Sequence, residues 1–210
     1  MRKVEKKIAH LLLQNKSIKL NPAKPFQWTS GWKSPIYCDN RKILSCPEVR
    51  DYIRNEFVNA IRKNFGNVEA IAGVATGAIA YGALVADRMN LPFLYVRSSA
   101  KSHGLENLIE GDPKPGQRIV VIEDLISTGS SSIRAVEALR MSGCDVLGMV
   151  AIFTYGFQFS EEKFSKADCR LITLSNYEAL LEHAIESGYI SSENLEILKK
   201  WRQDPENWPA

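Results

Sequence analysis

The amino-acid sequence predicts an α/β fold, a parallel sheet flanked by helices and fronted by a small N-terminal hood. Three observations carry this. Candidate strands and helices alternate from about residue 47 onward. The candidate strands are short continuous apolar runs, the pattern of strands covered on both faces of a parallel sheet. The first 46 residues are different, richer in Pro, Trp and Ser. The 210 residues therefore divide into an N-terminal helix and hood, 1–46, and a core with C-terminal helices, 47–210, packed as one compact domain.

The chain opens with MRKVEKKIAHLLLQ, which places Val4, Ile8, Leu11 and Leu12 at helical spacing. Three leucines are too short a run for a targeting segment. FQWTSGWKSPIYCDNR at 26–41 reads as a small irregular β region. Pro47 suits the first position of a helix, and Val49, Ile53, Phe57, Val58 and Ile61 follow at helical spacing. Residues 70–86 lack charge for 17 residues. That length is too short for a hydrocarbon core of about 30 Å, and Ala75-Thr76-Gly77 breaks it. It reads as a strand at 68–74, a tight turn and a close-packed helix at 78–90. A strand follows at 92–96.

Residues 98–116 carry charge, Gly and Pro without a period and predict a long loop, which compact domains keep mostly for function. The β-branched run at 118–122 predicts a strand ending in two acids. A helix is expected at 129–141, with Ile133, Val136, Ala138 and Leu139 inward and Gly143 ending it. A strand at 145–153, a short helix at 160–166 and a strand at 169–173 follow. Ser175 and Glu178 have the spacing of a capping box for a helix through 185. Residues 191–201 form the last helix.

Composition bounds the function. Hydrophobic residues make up 45% and charged residues 24%, a globular balance. A net charge of +3, from 27 basic and 24 acidic residues, is too weak to argue for nucleic acid or an anionic membrane. Any anion site must draw on local charge. Cysteines stand at 38, 46, 144 and 169, with no CxxC spacing, which predicts reduced thiols in a cytoplasmic protein.

Open α/β sheets bind ligands outside the carboxyl ends of their strands, which directs attention to the exits near 74, 97, 124 and 153. The strongest signal is RIVVIEDLISTGSSS at 118–132. A buried strand delivers Glu123 and Asp124 to its carboxyl end, and a loop of small residues runs into a helix. Exposed N–H groups and the helix dipole make such a start an anion cradle suited to phosphate. The acids suit hydroxyl groups or a divalent cation. The run matches neither GxxxxGK[ST] nor GxGxxG nor GxSxG. Helix capping alone explains Ser127 or Thr128, but not two acids followed by so many small residues.

This stretch resembles the PRPP-binding signature of the type I phosphoribosyltransferases (PRPP being 5-phosphoribosyl 1-pyrophosphate). Two further segments are similar to the orotate branch of that family: SGWKSPIYCDNR at 30–41, of the form SG-x-x-SP-x-Y, and YVRSSAKSHG at 95–104, of the form R-x3-K-x-HG. The resemblance implies Mg2+-dependent transfer of phosphoribosyl from PRPP to N1 of orotate, giving orotidine 5′-monophosphate and pyrophosphate. It assigns PRPP to Arg97, Lys101, His103, Glu123, Asp124, Leu125, Ile126, Ser127, Thr128, Gly129, Ser130 and Ser131. Of these, Thr128 to Ser131 would hold the 5′-phosphate, Glu123 and Asp124 the ribose hydroxyls, and Arg97, Lys101 and His103 the pyrophosphate. Lys101, His103 and Asp124 are the expected catalytic residues.

Orotate is expected at Ser127, Tyr37, Lys33 and Arg41, with Arg41 on its carboxylate. No residue is expected to hold metal directly; Mg2+ would be held through PRPP and water near Glu123 and Asp124. The resemblance also implies a cytoplasmic homodimer whose 97–104 loop reaches the neighbouring site, with no nucleic acid or membrane partner. The chain departs from one form of the family at Thr29 and Thr76, where that form has Lys, and at Tyr155, where it has Arg. His10 and His183 sit on helix patterns as ordinary surface or boundary residues, and the four tryptophans, 28, 32, 201 and 208, read as hood and C-terminal packing rather than a base-stacking platform.

Overall fold

A computed structural model describes residues 2–28, 30–99 and 108–208. Helix α1 (Arg2–Gln14) leads into two antiparallel ribbons. In one, β1 (Ile18–Leu20) pairs with β4 (Ile36–Cys38); in the other, β2 (Phe26–Gln27) pairs with β3 (Lys33–Ser34). A 3-10 helix, Asn40–Ser45, connects to α2 (Pro47–Asn64). There follow β5 (Ala70–Val74), α3 (Ile79–Met89), β6 (Phe93–Val96), β7 (Ile109–Glu110), β8 (Arg118–Ile126) and α4 (Ser130–Met141). The chain continues through β9 (Asp145–Thr154), α5 (Gln158–Lys166), β10 (Leu171–Asn176), α6 (Tyr177–Glu186) and α7 (Ser192–Gln203).

Strands β5 to β10 form one sheet in the order β10-β9-β8-β5-β6-β7. Side chains alternate across it, as strand geometry requires. Ile71, Val120, Ile122, Val150 and Ile152 join the core that also takes the apolar faces of α1, α2, α3 and α6. Ala70, Ala72, Ile119, Val121, Met149 and Ala151 face the other way and pack with α4 and Phe164 of α5. Both faces are dry, which is why the strands read as unbroken apolar runs. The Ala/Gly-rich run at 70–86 is β5, a turn and the start of α3. A Cβ on Gly82 would stand 2.6 Å from Phe93 and 3.2 Å from the Gly73 Cα, so α3 lies directly against β5. No described helix is long and apolar enough to cross a membrane.

The helical periodicities of α1 and α2 hold closely. Ile8, Leu11 and Leu12 are buried in α1, and all five apolar positions named in α2 are buried. Four expectations need correction. The sheet is not wholly parallel, because β7 runs antiparallel to β6. That strand lies inside the expected 98–116 loop. Strand β8 does not stop at the acids but carries on to Ile126, because Leu125 and Ile126 still pair with Phe153 and Thr154 of β9. The α6 cap is Asn176, which accepts from the Ala179 N–H at 2.9 Å. Ser175 still belongs to β10, and its hydroxyl donates to the Glu5 carbonyl at 2.8 Å, fastening α1 to the sheet.

His10 and His183 meet where α1 crosses α6, Nδ1 to Nε2 at 3.1 Å. Arg2–Glu182 at 2.8 Å and Lys6–Glu186 at 2.7 Å flank the pair. Trp201 is fully buried between the hood and the last helices. None of the four cysteines is in a disulfide.

Candidate active site

The carboxyl end of β8 sets two acids side by side in different surroundings. Glu123 is 5% exposed. One of its oxygens accepts from the Asp124 N–H and the other from the Ser132 hydroxyl, each at 2.9 Å. Burial pushes its carboxyl well above the usual range, and the neighbouring Asp124 charge pushes the same way. Asp124 is half-buried. Burial raises it too, while the Glu123 hydrogen bond and the Arg41 charge oppose that shift. Two contacts hold Asp124 in place. Its carbonyl accepts from the buried Asn40 side chain at 2.6 Å, which ties the hood to the strand exit. Its carboxylate lies over Gly77 in the turn after β5, where any Cβ would collide with it.

Beyond Ile126, which turns into the core, the chain bends through Ser127 and Thr128 to Gly129 and enters α4. Gly129 has φ +75°, and a Cβ there would press against Ser160 at 2.9 Å. Glycine is therefore required by conformation and by space. No side chain caps α4, so its first N–H groups remain open to a ligand. Ser130 and Ser131 are exposed at this start. Lys163 of α5 reaches it, bonding the Ser130 hydroxyl at 2.8 Å and the Thr128 carbonyl at 3.2 Å.

On the hood side of this loop is a cavity of about 390 Å³. Trp28, Trp32, Tyr37, Leu125, Ser127 and Tyr155 line most of it. Trp28 packs on Tyr155 at 5.2 Å, on Trp201 at 5.7 Å and, stacked, on Trp32 at 6.2 Å between ring centres. The packing role expected of the tryptophans is present, and two of them also wall a cavity.

The structure thus brings Tyr37, Leu125, Ser127 and Thr128 to one cavity, with Asp124 and the Gly129–Ser131 start beside it. Lys33 and Arg41 are outside its lining. Lys33 is on the outward side of β3, and Arg41 bonds Asp39 at 2.7 Å. Arg97 leaves the end of β6 and faces Glu110 at 3.6 Å, beside Ser131 and Arg134. Lys101, His103 and Thr29 lie outside the described residues. Thr76 is exposed on the turn after β5, and Tyr155 is buried. Sequence reasoning missed Asn40, Gly77 and Lys163. Each comes from a distant segment, and no local spacing signals such an approach. Among the described residues no cluster of three metal-ligating side chains exists. Two acids alone suit a hydrated divalent ion that a substrate also holds.

Comparison with known proteins agrees with this geometry. Residues 41–182 match the phosphoribosyl transferase domain family. The orotate phosphoribosyltransferase of Porphyromonas gingivalis is 59% identical over 208 residues, covering 99% of each chain. That of Bacteroides thetaiotaomicron is 58% identical over 210 residues, covering 100% of this chain and 99% of the relative. Among solved structures, orotate phosphoribosyltransferase from Aeropyrum pernix superposes with a TM-score of 0.76 at 27% identity, over 88% of this chain and 99% of its own. Leishmania donovani UMP synthase gives 0.77 at 25% identity, over 94% of this chain and 42% of the larger one. With its acid pair and helix-start loop set at the exit of a central strand, the chain belongs to the phosphoribosyl transferase family, in the orotate phosphoribosyltransferase branch.

Proposed function

We propose that this protein transfers the phosphoribosyl group of PRPP to N1 of orotate, giving orotidine 5′-monophosphate and pyrophosphate, in the cytoplasmic synthesis of pyrimidine nucleotides. The observation that carries this is the gathering of three kinds of surface at the β8 exit. An aromatic cavity lined by Ser127 and Thr128 has the acid pair and an uncapped helix start beside it, surfaces suited to base, ribose and 5′-phosphate. The α4 start and the Ser130 and Ser131 hydroxyls take the 5′-phosphate. Asp124, supported from within by Glu123, faces the ribose hydroxyls and the positive charge that develops at C1′ as its bond to pyrophosphate breaks. This is electrostatic stabilisation by fixed groups. Ser127, Tyr37 and the Trp28–Trp32 wall receive the base.

Mg2+, held through PRPP and water near Glu123 and Asp124, supplies neutralising charge for the leaving pyrophosphate. Arg97, with Lys101 and His103, takes that group, and the 97–104 loop serves the neighbouring subunit of a homodimer. The test is release of pyrophosphate from PRPP, measured with orotate, adenine, hypoxanthine or uracil, with and without Mg2+. Release that needs both orotate and Mg2+ is expected. Turnover with a purine but not orotate would overturn the reading.

A further inference from the structure

The loop that enters α4 is uncharged from Leu125 to Ser131, and the charges next to it on β8 are the acids Glu123 and Asp124. A phosphate dianion entering there meets the α4 dipole and two carboxylates. One cation bonds to the loop from another element. The Lys163 ammonium donates to the Ser130 hydroxyl at 2.8 Å and to the Thr128 carbonyl at 3.2 Å. It also sits 5.9 Å from the centre of the Phe159 ring.

Three features of this arrangement point to an anion. Among the described residues Lys163 has no ion-pair partner; Glu162, one residue before it, accepts from Gln158 instead. A cation at the start of α4 has the wrong sign for that end of a helix dipole, which favours negative charge. The hydrogen-bond directions are also informative. An ammonium has three N–H donors and a hydroxyl one. Two of the three are used on the loop, which leaves one. Because Ser130 accepts from Lys163, its own O–H remains for an oxygen in the cradle.

We propose that Lys163 is a phosphate-binding residue of the PRPP site. It supplies the positive charge the loop lacks, occupies the Thr128 carbonyl that would otherwise face an anion, and sets Ser130 as a donor. This rests on reading the loop as the 5′-phosphate cradle.

The experiment is calorimetric titration of the parent protein, Lys163→Met and Lys163→Arg with PRPP and with ribose 5-phosphate, alongside steady-state kinetics. Losing a charged hydrogen-bond donor is expected to weaken both ligands about tenfold or more. KM for PRPP should rise in step, with KM for orotate unchanged and partial recovery in Lys163→Arg. A second measurement uses the parent protein alone: ribose 5-phosphate should protect Lys163, but not Lys166, from acylation read by mass spectrometry. Unchanged binding in Lys163→Met, or equal labelling of Lys163 with and without ligand, overturns the inference while leaving the cradle intact. Failure of the parent protein to bind either phosphate ester overturns the cradle reading as well.

Discussion

In Glu123 both carboxylate oxygens are met from inside the fold, one by a backbone N–H and one by Ser132. Asp124 keeps an outward face. The amide variants should separate these settings. The Glu123 carboxyl is raised in the folded protein, so folding favours its protonated form. The stability this gives is full below the unfolded value of 4.5 and is lost as pH rises through the raised one. At neutral pH, thermal melts of Glu123→Gln should therefore match or exceed the parent, since an amide can serve both partners. Asp124→Asn should also keep its melting temperature yet lose on the order of 100-fold or more in turnover, the scale of removing one transition-state stabiliser. Near-parental turnover in Asp124→Asn would remove that residue from the mechanism. The acid pair and its loop were legible in the sequence because strand, acids and helix start are contiguous. Lys163 was not, because it lies over 30 residues away and is one lysine among many.

Helices α1 and α6 are joined by the His10–His183 hydrogen bond, with Lys6, Glu182 and Glu186 beside it. Such a bond needs at least one neutral ring. Burial, then the neighbouring His10, lowers His183 below 6.5, and Lys6 acts in the same direction against Glu186. A histidine depressed on folding binds its proton more readily when unfolded. Its contribution is present above about pH 6.5 and is lost as pH falls below that value. Hydrogen exchange should therefore show α1 amides losing protection between pH 7.5 and 5.5, and His183→Gln should flatten that dependence. A protection profile unchanged over this range would count against the pair as a clasp. At this scale the sequence was most readable where one periodicity ran long, as in α2. It misled where two elements abut. Ser175 has the spacing of a cap, but β10 extends through it and sends its hydroxyl to α1. Strand β7 is two residues long and has no pattern to read.

Across the whole molecule the near-neutral balance conceals segregated charge: acids at the ribose position, Lys163 at the phosphate loop, Arg97 at the far end. The proposed dimer gives this a functional test. If Lys101 serves the partner's site, Lys101→Ala and Asp124→Asn homodimers are each weak, but a mixture re-associated in equal amounts regains roughly a quarter of parental activity, from mixed dimers with one intact site. No recovery over the separate proteins would place each site within one chain. Fold class follows from alternating apolar segments, a property of the whole chain; the strand order does not. Nor does the hood's register against the core, because it depends on single contacts such as Asn40 with Asp124.

The contact of Trp28 with Trp201 has a consequence for biosynthesis. The cavity's outer wall is made early on the ribosome, yet the ring that backs it lies 173 residues later. At about 5–20 residues per second, Trp28 waits roughly 9–35 s for that ring. Through that interval Trp28 can already meet Trp32 and Tyr155, but the base-side wall still lacks the Trp201 ring behind it. A chain that stops short of α7 therefore leaves the hood without its backing.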